Sequence, residues 1–372
     1  MKKFKILSAA FLMLFIASLQ PAQARIWRVN ILSNYNGTTL WGDNLGGTPA
    51  NPVFSQLLQP NGYGGVQNND TIHLEGAVAE YTGITLTKKL IIIGPGYFLT
   101  DNPNTSNNLL ESKLSYITFA TGSGGSQLIG VHITGSISVG INSGVSNITV
   151  KRCRIDYDLN VPATSSDIYV LQNYFANTTN SNASCITVSN LGFPSNFIFN
   201  NNITKRTLLL FSGATIYFAD ECRNNVFDCP ALSGSLPSIK LLCSNFQNNI
   251  LKTTGATVDV NNGITSSSVS YNISAAAVGQ FGTDNNNIVV ADQTTLFVSS
   301  PSNDGKYQLK PASPGSNNGS DGTDRGAFGG ASVVSRYTLS GLAAIPVIYD
   351  ILTSGVADAS GLPVTIKARI IK

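Results

Sequence analysis

The chain has 372 residues, a formal net charge of +3 and only 12% charged residues, whereas 42% are hydrophobic. Three of the 23 basic residues and none of the 20 acidic residues fall within residues 1–24, so the chain without them has 20 of each and no net charge. A neutral chain lacks the basic face that nucleic-acid binding requires, and this excludes nucleic acid as the expected partner.

The first 24 residues have the pattern of an export signal. Lys2, Lys3 and Lys5 precede an apolar run from Ile6 to Leu19, which is followed by the small-x-small sequence Ala22-Gln23-Ala24. This pattern predicts a signal peptide over 1–24 and a secreted or cell-surface protein that begins at about Arg25. The apolar run is too short to span a bilayer, and no later segment is long and apolar enough to do so. We expect a monomer without a membrane span.

Residues 25–69 have an irregular pattern with one short amphipathic piece, from Pro52 through Phe54 and Leu57 to Gln59. The open end of a stacked repeat needs a cap against water. The sequence therefore predicts an N-terminal capping region over 25–69, with this piece as a helical turn.

Residues 70–96 form short β-rich runs that are interrupted by Gly and Pro. They contain Asp70-Thr71-Ile72-His73-Leu74, then Tyr81, then the run from Lys88 to Gly96. This stretch resembles the first coils of right-handed parallel β-helix proteins of the pectin-lyase-like superfamily. The resemblance implies an all-β fold, a right-handed single-stranded parallel β-helix over 70–333, and it implies no particular enzyme.

A repeat supports the same fold independently. An Asn-aliphatic step recurs at intervals of 23, 24 and 23 residues, at Asn202, Asn225, Asn249 and Asn272. Such a period is typical of stacked coils. We predict that these residues form a structural ladder at a turn, where they tolerate a left-handed backbone and bond from coil to coil. Binding of sugar hydroxyls by the same side chains is the alternative.

The repeat also predicts one buried column of apolar side chains, formed by Phe199, Cys222, Phe246 and Val269. We place His132 and Arg154 in line with the asparagines of the ladder.

After the repeat, residues 304–329 resemble the closing segment of secreted bacterial β-helix proteins. Residues 334–372 contain two strand-like runs, Ile345–Ile351 and Leu362–Ile371. They predict a small C-terminal β segment that either packs on the stack or forms an appendage. The chain contains five cysteines, an odd number, and their disulfide pairing is left open.

The motifs that mark polygalacturonases and pectate lyases in this superfamily are absent from the sequence. The catalytic candidates that remain are Arg152, Arg154 and Asp156, and strand alternation would place both arginines on one face, where they could meet an anionic sugar. A solvated outer face is the alternative reading of these residues.

Three residues after the ladder positions come Lys205, Asp228 and Lys252, which should stack as plus, minus, plus on successive coils. They are candidates for binding, although a stabilising charge column explains them equally well. No motif indicates a metal or a cofactor. Asp321 and Asp324 could ligate Ca²⁺, but they lack the rest of a known Ca²⁺ loop.

These observations favour a secreted or cell-surface protein that binds polysaccharide or offers an extracellular interaction surface without catalysis. The alternative is a polysaccharide lyase or glycoside hydrolase that acts on acidic glycans.

Overall fold

The structure is a computed structural model that describes residues 24–31, 53–140, 144–178, 182–188, 192–232, 236–260, 268–276, 280–353 and 361–371. Apart from Ala24, the predicted signal peptide lies outside these residues. Most regular structure within them is parallel β-strand, which confirms the prediction of an all-β parallel β-helix.

Three parallel sheets form the walls of the β-helix. In the described residues they contain twelve, nine and five strands, and we name them sheets A, B and C. Sheet A consists of Ile26–Val29, Thr71–Leu74, Ile91–Ile93, Gln127–Ile129, Ile148–Lys151, Ser166–Leu171, Ser195–Asn200, Leu208–Leu209, Phe218–Arg223, Ile239–Gln247, Val258–Val260 and Val269–Ser270. Sheet B consists of Lys113–Leu114, His132–Ile133, Arg154–Ile155, Tyr174–Phe175, Ile203–Thr204, Val226–Phe227, Ile250–Leu251, Ile273–Ser274 and Ile288–Val289. Sheet C consists of Ile84–Leu86, Ile117–Phe119, Ile137–Val139, Leu159–Val161 and Ile186–Val188.

The inner core is built from columns of equivalent side chains in sheet A. Cys222 pairs with Phe199 on one side and with Phe246 on the other, and Phe246 pairs with Val269. This is the column predicted from the sequence, and all four side chains are buried. Burial of one such large apolar side chain stabilises the fold by about 1.5–3 kcal/mol. The five cysteines are buried and unpaired, and burial raises the pKa of the Cys222 thiol, which therefore packs as a small hydrophobic group.

An asparagine ladder forms the turn between sheets A and B. Each Oδ1 accepts the backbone N–H of the equivalent residue one coil earlier at 2.9 Å. Each Nδ2 also donates to a backbone carbonyl of the preceding coil, as Asn225 does to Phe199 at 2.9 Å. The ladder side chains are at most 5% exposed, so they satisfy turn groups that water cannot reach. In the described residues the ladder comprises Asn173, Asn202, Asn225, Asn249, Asn272 and Asn287.

The left-handed backbone belongs to the residue before each ladder position and not to the ladder residue itself. Asn201, Asn224 and Asn248 have φ values of 57°, 55° and 58°. Asparagine adopts this conformation more readily than most residues. The Asn-Asn pairs in the sequence are therefore explained by two roles, because the first residue makes the turn and the second makes the ladder.

The expected register of His132 and Arg154 is wrong by one residue. Arg154 pairs with His132 and with Tyr174, so it follows the ladder position. Cys153 occupies the place in line with the ladder, and its backbone N–H donates to Oδ1 of Asn173 at 2.9 Å.

Residues 290–343, which we call the return segment, cover the outer side of sheet B. The strands of sheet B are two residues long, and their side chains alternate between two cores. Phe227 and Leu251 belong to the inner core. Val226 and Ile250, which precede them, belong to a second core outside the sheet. A loop contributes Tyr97 and Phe98 to that second core. The return segment contributes Leu296, Phe297, Tyr307, Ala327 and Tyr337.

The return segment follows the turns between sheets A and B from coil to coil. Nη1 of Arg325 donates to the carbonyl of Asn272 at 3.2 Å, and the backbone N–H of Gly326 donates to the carbonyl of Asn248 at 2.7 Å. Nδ2 of Asn201 donates to the carbonyl of Ala327 at 2.9 Å. Further contacts of this kind join Gln172 to Val334 and Arg152 to Leu342. The left-handed turns thus also form the docking surface for the end of the chain.

At the N-terminal end, Ile26–Val29 pairs with Thr71–Leu74, so the stack includes a strand from the predicted capping region. In the described ranges an α-helix spans Leu58–Gly62, and it begins later than the helical turn predicted from Pro52, which itself lies outside those ranges. Phe54 is fully buried, and its ring centroid lies 5.9 Å from that of Trp27. The described 3₁₀-helices are Gln293–Thr295, Gly305–Tyr307, Val333–Ser335 and Leu339–Gly341.

The C-terminal β segment is an antiparallel hairpin of Pro346–Thr353 and Val364–Ile370. The backbone N–H of Asn107 donates to the carbonyl of Ile348 at 2.9 Å, which connects the hairpin to the body of the protein. No helix in the described ranges has both the length and the apolar character needed to cross a membrane.

The ladder generates a stability prediction. Replacement of Asn225 by Leu leaves the N–H of Asn202 and the carbonyl of Phe199 buried without these partners. Each lost partner costs about 1–3 kcal/mol, so we expect the free energy of unfolding to fall by about 3 kcal/mol or more. Urea denaturation followed by circular dichroism measures the change. Asn107→Leu, at an exposed position, is the control and should have little effect. Equal stability of the Asn225→Leu protein and the wild type would contradict the structural role of the ladder.

Candidate functional site

One column at the outer edge of sheet B contains Asp156, from one group of charged residues predicted from the sequence, and all three residues of the other group, Lys205, Asp228 and Lys252. The backbone N–H of Asp228 donates to the carbonyl of Thr204 in the preceding coil at 2.9 Å. Lys205, Lys252 and Asp156 make the equivalent bond in their own coils. Ala176 occupies the same position between Asp156 and Lys205. The coil repeat therefore aligns charges that are far apart in sequence.

Lys205, Asp228 and Lys252 stack in the predicted order. Nζ of Lys205 lies 3.1 Å from Oδ2 of Asp228, and Nζ of Lys252 lies 3.8 Å from its Oδ1. The two lysine side chains are 35% and 32% exposed, so both ammonium groups remain accessible to a ligand.

The return segment adds two residues that the repeat could not reveal. The hydroxyl of Tyr307 donates to Oδ2 of Asp228 at 2.7 Å. The ammonium groups of Lys306 and Lys252 lie 5.5 Å and 5.8 Å from the centroid of the Tyr307 ring. We call Lys205, Lys252 and Lys306, together with Asp228 and Tyr307, the lysine cluster.

The lysine cluster has an excess of positive charge, because three ammonium groups surround one carboxylate. Burial lowers the pKa of Lys306, repulsion from Lys205 and Lys252 lowers it further, and Asp228 opposes the change. Burial and the neighbouring Asp228 raise the pKa of the Tyr307 hydroxyl, which therefore stays protonated and acts as a donor. An anion bound between the lysines would relieve their repulsion.

A second charged group, which we call the histidine row, lies further toward the N-terminal end of the stack. Nδ1 of His132 lies 2.7 Å from Oε2 of Glu111, and Nε2 of His132 lies 3.0 Å from Oδ2 of Asp156. Nε of Arg154 donates to Oδ1 of Asp156 at 2.8 Å. The guanidinium of Arg154 also stacks on Phe98, with its carbon 5.0 Å from the ring centroid. Sequence reasoning missed Glu111, since it lies in an irregular loop outside the repeat.

Two carboxylates, those of Glu111 and Asp156, stabilise the protonated form of His132 in the histidine row. Burial opposes the charged form of His132, but the bonds to Asp156 and Glu111 outweigh burial and raise the pKa of His132 above its ordinary value of 6.5. Burial likewise opposes ionisation of Asp156 and Glu111, yet the bonds to His132 lower the pKa of both carboxyl groups. Both ring nitrogens of His132 are therefore engaged in a charged, self-contained group.

The expectation that Arg152 and Arg154 share one face is wrong. Arg152 has a φ of 54° and lies at the turn between sheets A and B, whereas Arg154 lies beyond the turn in sheet B. The side chain of Arg152 is 2% exposed, and its Nε donates to Oε1 of Gln172 at 2.7 Å. Arg152 therefore stabilises the turn and its guanidinium is shielded from a polymer at the surface.

Metal ligands do not converge in the described part of the chain, where no group of three or more His, Cys, Asp and Glu side chains could hold an ion. Oδ1 of Asp321 accepts the backbone N–H and the hydroxyl of Thr323, at 3.1 and 2.7 Å, in a local turn.

No family model, curated protein or solved structure matches this chain.

The histidine row predicts a pH dependence of stability. The raised pKa of His132 contributes stability that is present below about pH 6.5 and is lost as the pH rises through the folded-state pKa. The lowered pKa values of Glu111 and Asp156 contribute stability that is lost only in acid. The difference in free energy of unfolding between wild type and His132→Gln should therefore shrink as the pH rises from about 5.5 to about 9.

Urea denaturation at several pH values measures this difference. Glu111→Gln is the matched variant, because it keeps the side-chain size but removes one of the two carboxylates, and it should move the loss of stability to lower pH. A difference that does not vary with pH would mean that folding does not shift the pKa of His132, and a difference that grows with pH would mean that His132 is neutral in the folded protein.

Proposed function

We propose that the protein is an exported, non-catalytic binder of acidic polysaccharide, and that the lysine cluster is its binding site. The observation that carries the proposal is the excess of accessible positive charge around Asp228, on a chain that has no net charge after residue 24. The predicted signal peptide at residues 1–24 supports an extracellular location, where such polymers occur.

The spacing of the lysine cluster suits a polymer. Lys205 and Lys252 belong to coils on either side of the coil that carries Asp228. Neighbouring strands are about 4.8 Å apart, so the two lysines originate about 10 Å apart along the stack. The carboxylate of Asp228 lies between the two ammonium groups, and two acidic sugars of one extended chain can each contact one of the lysines from the solvent side. Tyr307 is only 1% exposed, so it does not contact a sugar; its hydroxyl holds Asp228 in place between the two lysines.

Binding to polygalacturonate tests the proposal. We expect Lys205→Gln and Lys252→Gln each to weaken binding about fivefold, since one exposed charge contact contributes about 1 kcal/mol. Lys240→Gln removes the same charge at a distant pair with Asp259 and should leave binding unchanged. Dextran, a neutral glycan, should not bind. Isothermal titration calorimetry provides the affinities, and equal affinity for the neutral polymer or equal loss in the Lys240→Gln control would refute the proposal.

A second candidate function is cleavage of the same polymers by β-elimination. The lowered pKa of Lys306 favours it, because a larger neutral fraction makes the amine a better proton acceptor. Absorbance from new unsaturated ends measures this reaction. Lys306→Arg keeps the positive charge but cannot act as the base, so a lyase would lose turnover in this variant while it keeps binding. A wild type that binds polygalacturonate without any rise in absorbance favours the non-catalytic function.

A further inference from the structure

A pocket of about 510 Å³ lies between the return segment and the C-terminal hairpin, and no residue of the lysine cluster lines it. Its volume is within the range of small-molecule sites, which are typically apolar with a few polar groups. The apolar part of the wall includes Phe328, Tyr337 and Leu342, and the polar part includes Asn102. A ligand that fits this wall needs an apolar body.

The charged groups on the wall are both cations. Arg336 comes from the return segment and Arg369 from the second strand of the hairpin, and no Asp or Glu is among the described residues that line the pocket. Nε of Arg336 donates to the carbonyl of Gly330 at 2.8 Å. The Nε of Arg369 is buried and has no hydrogen-bond partner among the described residues. A buried donor without a partner is costly, and an acceptor in the pocket would remove that cost.

A buried carboxylate, that of Asp304, lies behind the wall and makes its hydrogen bonds to groups other than these arginines. Oδ1 of Asp304 accepts Nδ2–H of Asn102 at 2.8 Å, and its Oδ2 accepts the hydroxyl of Tyr337 at 3.3 Å and the backbone N–H of Ser340 at 2.7 Å. Asp304 is fully buried and thus serves to join three segments behind the pocket. The wall facing the pocket keeps its positive character.

We propose that this pocket binds an amphipathic carboxylate, with the carboxylate between Arg336 and Arg369 and the apolar body against Phe328, Tyr337 and Leu342. Arginine suits this role, because its planar guanidinium matches a carboxylate. Binding joins the hairpin to the return segment through the ligand, since each contributes one arginine. The site is separate from the lysine cluster and does not depend on the function proposed for it.

Calorimetric titration of the purified full chain with octanoate tests the site. Octanamide has the same chain without the charge, and acetate has the charge without the chain. We expect octanoate to bind at least about tenfold more tightly than either, because both the charge-assisted bonds and the apolar wall contribute. If octanamide or acetate binds as tightly as octanoate, the pocket is not a site for an amphipathic carboxylate.

Variants locate the binding in the pocket. Arg336→Gln and Arg369→Gln should each weaken octanoate binding about tenfold. Lys367→Gln removes a charge from the same strand, at a residue that pairs with Asp350 outside the pocket, and should leave the affinity unchanged. Ile366→Thr, on the exposed side of the hairpin, controls for adsorption to its apolar face. Equal weakening in either control and in the arginine variants would overturn the proposal.

Discussion

The rest of the structure depends on the hydrogen bonds of the asparagine ladder. At the turn between sheets A and B the backbone leaves the regular strand pattern, yet the turn is enclosed by the inner core on one side and the return segment on the other. Water cannot satisfy the polar groups there, so side chains must. Asparagine can donate and accept at the same time, and one residue per coil therefore satisfies both a backbone N–H and a carbonyl of the preceding coil.

The same turns position the charged residues. Each ladder residue fixes the start of a two-residue strand in sheet B, and the column that contains Lys205, Asp228 and Lys252 follows directly after these strands. These three charged residues are consequently spaced one coil apart along the stack. The return segment, which the second core holds against sheet B, then adds Lys306 and Tyr307 to the column. The candidate site thus combines a periodic surface with one non-periodic segment.

The periodic part of the molecule could be predicted from the sequence, because equal spacing along the chain becomes equal position in the stack. The column of Cys222 and the order of Lys205, Asp228 and Lys252 both follow from that rule. The predicted register is wrong at Arg154, because Cys153 stands at the ladder position of that coil and no asparagine identifies it in the sequence. Contacts between the stack and irregular segments, such as Glu111 with His132 and Tyr307 with Asp228, leave no repeat in the sequence and could not be predicted from it.

The return segment has a consequence for how this molecule can change in evolution or by engineering. Solenoid proteins commonly gain or lose whole repeats, because each repeat contacts only its neighbours. Here the consecutive residues Arg325, Gly326 and Ala327 bind the turns at Asn272, Asn248 and Asn201, so their positions are matched to the spacing of the coils. Duplication of the coil between Asn225 and Asn249 would move those turns apart while the return segment kept its length. Coil number in this protein can change only together with a compensating insertion more than fifty residues further along the chain.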